Sequence, residues 1–128
     1  MRQLVSSRAG LLIGFAGASA VLFGAFGAHA LHDMLGVQGR ELWHTAVEYH
    51  FWHALALTLA VWVGGGSRAG RFAVAAFATG IVLFSGSLYA LALGAPRWTG
   101  IITPFGGLAF IGGWIALGLA MHRREGSA

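Results

Sequence analysis

A 22-residue run from Leu42 to Val63 is apolar enough to cross a bilayer, yet it carries Glu48 together with His44, His50 and His53. A hydrocarbon core about 30 Å thick calls for roughly 20 apolar residues in a helix. An ionisable group inside such a helix is costly against lipid, so it must face protein, water or a ligand. This run therefore needs neighbours, and the sequence supplies them. Ala9–Ala28, Phe72–Leu93 and Ile101–Met121 are further long runs, each free of Asp, Glu, Lys and Arg. Spans over about residues 9–29, 42–63, 72–94 and 101–121 predict one transmembrane domain covering residues 1–128. Its expected fold is all-α, an integral membrane four-helix bundle in up-down-up-down order.

Composition agrees with a bilayer as the main partner. Only 9% of residues are charged, against about 25% in a soluble domain, whose charges keep its surface wet. The formal net charge of +4 comes from arginine alone. Those arginines stand singly or in pairs between apolar runs, which marks topology rather than a nucleic-acid face. Cysteine is absent, which removes disulfides, thiolate metal sites and thiol nucleophiles. A basic start, an apolar run and Ala28-His29-Ala30 resemble a cleaved signal. The run is too long for a signal core, however, and three more spans follow.

Arginine placement sets the expected orientation. Arg2, Arg8, Arg68, Arg71, Arg123 and Arg124 fall on one side of four spans, and Arg40 and Arg97 on the other. The positive-inside rule then places both termini in the cytoplasm of a bacterial inner membrane. Within span one, Gly10, Gly14, Gly17, Val21, Gly24 and Ala28 recur at intervals of three and four, a small-residue stripe suited to close helix packing. Gly36 and Gly39 are expected to break any long helix before span two. Thr103-Pro104 suits a helix start, with threonine as N-cap and proline at the first helical position, and a kink at Pro104 is the competing reading.

With that topology, polar groups from all four spans share the outer half: His29, Glu48, His53, Ser85, Ser87, Tyr89 and Thr103. On span two, Glu41, His44, Glu48 and Trp52 lie within about 60° of one another, and His50 lies roughly opposite, about 60° from His53. Glu48 is expected to find a partner in His29, Tyr89 or Ser85, since a bare carboxylate is costly in hydrocarbon. Zinc or non-haem iron needs compact histidine and carboxylate spacings that are absent here. Haem held by His29 and His53 is specified by nothing. The glycines lie inside apolar helices and form no phosphate loop. No cofactor is required by the sequence.

Gly24-Ala25-Phe26-Gly27-Ala28-His29, Glu48-Tyr49 and His53-Ala54-Leu55-Ala56-Leu57 resemble the small bacterial membrane proteins catalogued as domain of unknown function 423, a family with a eukaryotic branch. Leu83-Phe84-Ser85-Gly86-Ser87-Leu88-Tyr89 and Thr103-Pro104-Phe105-Gly106-Gly107 through Gly113-Trp114 extend the resemblance over nearly the whole chain. It implies a helical inner-membrane protein and brings no activity with it. It adds weight to His29, Glu48, His53, Ser85, Ser87, Tyr89, Thr103 and Pro104 as motif positions. His50 departs from the pattern, which has glutamine there.

Three functional classes follow in order. The first is a non-catalytic scaffold or assembly subunit docking other membrane proteins, or itself, through glycine seams at Gly10, Gly14, Gly17, Gly24, Gly106 and Gly113. The second is a binder or transporter of a small ligand, proton or ion through the Glu48 and His53 layer. The third is a metal- or haem-dependent redox protein.

Overall fold

Ser6 opens the first helix, its Oγ accepting the Ala9 N–H at 3.1 Å, and α1 runs from Ser7 to Ala28. The structure, a computed structural model, describes residues 6–64 and 66–126, with side chains as far as Arg123. Arg2, Gly65 and the Arg124 side chain, which entered the arginine count and the second turn, lie outside the described residues.

Helix α2 spans Gly36–Gly64. Gly36 and Gly39 therefore do not break it, contrary to expectation. Gly36 begins the helix at φ 65°, a conformation that glycine reaches freely. Gly39 is buried where α2 approaches the Ala92 carbonyl, and a methyl there would lie 3.4 Å from that oxygen. Ser67 caps the third helix by accepting the Gly70 N–H at 3.0 Å. Helix α3 then runs Arg68–Ala92, and its segment Ile81–Ser85 is π-helical. A 3₁₀ turn, Arg97–Ile101, leads into α4, Ile102–Gly126. Thr103 thus lies inside the helix and is not its N-cap. The 3₁₀ turn carries helical backbone further upstream, and Pro104 stays within the first turn, where a missing N–H leaves nothing unpaired. No strand occurs among the described residues.

Three stretches are long and apolar enough to cross a membrane: Ser7–Ala28, Arg68–Ala92 and Arg97–Arg123. Helix α2 is not one of them, because Glu48 and the histidines dilute its aliphatic run. Its surroundings compensate. It packs against all three other helices, whereas the α1 backbone approaches α2 alone. A core of Ala54, Ala56, Leu57, Ala60, Ala73, Phe77, Phe110, Ala116 and Leu117 joins α2, α3 and α4, and α1 reaches it through Ala16.

Close backbone approach replaces large apolar side chains at the seams, as expected where lipid offers no hydrophobic drive. Gly64 and Gly70 meet where α2 turns into α3, a methyl on either lying 2.6 Å from the other's Cα. Between α3 and α4 the rule is aromatic into notch. Phe110 covers Gly80, Phe77 covers Gly113 at 2.7 Å from a methyl placed there, and the Phe84 backbone presses on Gly106. Gly24 faces Val47 at 3.3 Å, but methyls at Gly10, Gly14 and Gly17 would meet nothing within 4 Å. That part of the α1 stripe is open.

Candidate functional site

The residues singled out in the sequence fall into separate hydrogen-bonded sets. His29 is exposed just past the end of α1, its backbone N–H bonded to the Ala25 carbonyl. Glu48 pairs with His44 at 2.5 Å, with 40% of the Glu48 side chain and 75% of that of His44 exposed. Neither His29, Tyr89 nor Ser85 is its partner, so the expected pairing is corrected. The reason is angular: Glu41, His44 and Trp52 share that stripe of α2 and are exposed with it. An exposed i,i+4 pair contributes only a few tenths of a kcal/mol. Glu48→Gln is therefore expected to shift unfolding stability in detergent by less than about 0.5 kcal/mol. A loss several times larger would show that the carboxylate has a second partner.

The opposite face of α2 is where its polar groups are enclosed. His53 is buried and stacks on Phe110 with ring centroids 3.5 Å apart and planes at 11°. Trp114 Nε1 donates to His53 Nε2 at 3.1 Å, so Nε2 carries no proton. Nδ1–H then donates to the Tyr49 carbonyl at 2.7 Å. Both ring nitrogens are engaged, and a haem or metal would have to break one of those bonds. Among the described residues no three His, Cys, Asp or Glu side chains are grouped to hold a metal ion.

On α3, Ser85 donates to the Ala46 carbonyl of α2 at 2.8 Å and is fully buried. This bond sits at the end of the π-helical segment, where one extra residue per turn re-aims the side chains that follow. Ser87 turns to α4 instead, its Oγ 2.5 Å from that of Thr103. Tyr89 turns back to α2 and meets His50 Nδ1 at 2.9 Å.

No role for His50 is legible in the sequence. It is buried and bridges two helices, with Ser19 Oγ of α1 3.1 Å from Nε2 on one side and Tyr89 on the other. Ser19 also donates to the Ala16 carbonyl at 3.1 Å. With that bond made, His50 Nε2–H donates to Ser19 and the Tyr89 hydroxyl donates to Nδ1. Rotating the Ser19 hydroxyl toward Nε2 reverses the chain. Nδ1–H then donates to Tyr89, whose own hydrogen is released outward. The row thus has two proton arrangements, one presenting an acceptor at Tyr89 and the other a donor.

This row lines part of a groove of about 340 Å³ between α1, α2 and α3. The groove exists because the α1 backbone does not reach α3, and only side chains such as Phe23, 5.0 Å from the Tyr89 ring, cross between them. Leu12, Phe15, Ala16, Leu57, Ala78, Ile81 and Val82 line the rest, with Gly86 one helical turn before Tyr89 and open space above its Cα. A volume of this size with apolar walls is that of a small-ligand pocket.

The family model described as "Protein of unknown function (DUF423)" matches residues 23–107. The chain belongs to this family. A Bacillus subtilis relative named UPF0382 membrane protein YwdK is 43% identical over 108 residues, covering 79% of this chain and 85% of its own. A Staphylococcus epidermidis UPF0382 membrane protein is 43% identical over 108 residues, with 84% and 88% covered. The Escherichia coli UPF0382 inner membrane protein YgdD is 40% identical over 110 residues, with 83% and 84% covered. No solved structure matches. The DUF423 match takes in α2, α3 and the start of α4, and so includes His50, His53 and Tyr89. Membership makes this a helical membrane protein.

Proposed function

We propose that this protein is a non-catalytic component of the bacterial inner membrane that seats a lipid-soluble small molecule in the groove between α1, α2 and α3. The observation that carries this is the almost wholly apolar groove of about 340 Å³, along which Ser19, His50 and Tyr89 are tied to one another by hydrogen bonds. The apolar walls suit a ring or chain drawn from the bilayer, and the groove opens beside Val82, which is 68% exposed.

In this reading the four helices cross up-down-up-down as one transmembrane unit, with both termini in the cytoplasm. Arg68 and Arg123 lie along one groove and Arg97 and Gln38 along another, which supports placing those pairs at opposite ends. Helix α2, at 1.5 Å per residue, is about 43 Å long and exceeds a core of about 30 Å. Its first two turns and His44 then sit at headgroup level, with Glu48 one turn below, reaching up to His44.

Gly86→Leu tests the groove, because it adds bulk to an open position while favouring the helix. Wild-type protein extracted in mild detergent is expected to carry a non-phospholipid small molecule by native mass spectrometry. The variant is expected to retain its helicity and lose that molecule. The same cargo in both proteins, or none in either, would refute the reading.

The scaffold reading has its own supporting observation, the open stripe at Gly10, Gly14 and Gly17. It makes the opposite prediction. Gly14→Leu would then abolish co-purification of a membrane partner while leaving small-molecule content unchanged.

A further inference from the structure

At the opposite end of the bundle from Tyr89, the start of α3 and the end of α4 enclose a second groove of about 540 Å³. Its walls are Phe72, Gly112, Ile115 and Leu119, and two cations, Arg68 and Arg123, stand along it. Arg71, one turn from Arg68, uses its guanidinium on the Gly66 carbonyl. Among the described residues neither Arg68 nor Arg123 pairs with a carboxylate, and the two ion pairs formed both lie elsewhere, at His32–Asp33 and His44–Glu48. Among the described residues the groove is thus an apolar furrow flanked by two arginines without a carboxylate partner.

We propose that this groove docks one anionic phospholipid, its phosphate between Arg68 and Arg123 and an acyl chain along Phe72, Gly112, Ile115 and Leu119. Charge complementarity selects the occupant. A guanidinium binds phosphate oxygens in a bidentate fork, and arginines beside apolar surface at a membrane face attract anionic lipid. The small residues of α4 supply the depth, since a methyl at Gly112 meets only the Phe72 ring, at an ordinary 3.7 Å. The site lies outside the Ser19–His50–Tyr89 groove and stands without it. Only its assignment to the cytoplasmic leaflet rests on the topology read above.

The test is thermal unfolding of purified full-length protein in a neutral detergent, with added phosphatidylglycerol, phosphatidylcholine or inorganic phosphate. Phosphatidylglycerol is expected to raise the Tm of the wild type by several degrees, and the other two are expected to leave it in place. Arg68→Gln/Arg123→Gln should start from the wild-type Tm and lose most of the rise. Arg8→Gln, which removes one charge elsewhere on the chain, should keep it. Gly112→Leu fills the furrow with both arginines present and should also lose the rise. Equal stabilisation of all variants would reduce the effect to diffuse charge, and stabilisation by phosphate alone would make the site one for free anion. A change of oligomeric state in the double variant without lipid would make this face an interface between copies. Each of these three results overturns the proposal, as does a Gly112→Leu protein that responds to phosphatidylglycerol like the wild type, whether or not the double arginine variant folds.

Discussion

Gly106→Ala is expected to lower the unfolding stability of this protein in detergent by about 2–3 kcal/mol, near the upper end of what one forced methyl costs in a packed interior. The added carbon would lie 2.7 Å from the Phe84 Cα and closer still to its backbone nitrogen. Backbone cannot swing aside as a side-chain tip can, so α3 and α4 would have to separate. The strained point falls within the π-helical segment that positions Ser85, Ser87 and Tyr89, so damage there should also loosen the groove beside His50. Gly14→Ala makes the contrast. It meets nothing within 4 Å and should be neutral or stabilising by up to about 1 kcal/mol, the helix-propensity difference. Equilibrium unfolding of both variants in mixed micelles checks the pair, and equal stabilities would contradict this account of the α3–α4 seam.

His53→Ala is expected to cost about 3 kcal/mol, combining the cavity left by a buried ring with an orphaned polar group. The ring covers Phe110, and its loss strands the Trp114 N–H. Trp114→Phe, which removes the N–H with less loss of volume, should cost closer to 1 kcal/mol. The double variant should then cost less than the sum of the two, because each removes the other's partner. Simple additivity in a double-mutant cycle would show that the His53–Trp114 bond contributes little.

Much of this architecture is legible in the sequence. Uncharged runs the length of a bilayer announced the helices. The helical angles of α2 were legible too, setting Glu41, His44, Glu48 and Trp52 on one stripe and His50 opposite. What composition could not decide was which stripe faced inward. A carboxylate in an apolar run looks like the group in need of shelter, but a stripe holding two acids and a histidine can also lie at headgroup level. His50 was passed over for the converse reason, since one histidine without a spaced partner specifies nothing until Ser19 and Tyr89 arrive from other helices. The π-helical segment was illegible because Ile81–Phe84 is uniformly apolar, and the bond from Ser85 to Ala46 at its end is purely tertiary. The Gly36 start was misjudged because glycine serves equally to end a helix and to begin one at positive φ.

The groove beside His50 carries the functional account, and a photoreactive side chain placed at Val82 in intact membranes probes it most directly. Irradiation followed by intact-mass measurement is expected to give one dominant adduct of a non-phospholipid small molecule, lost when Gly86→Leu is added. Adducts only with ordinary phospholipid, or only with another polypeptide, would contradict it.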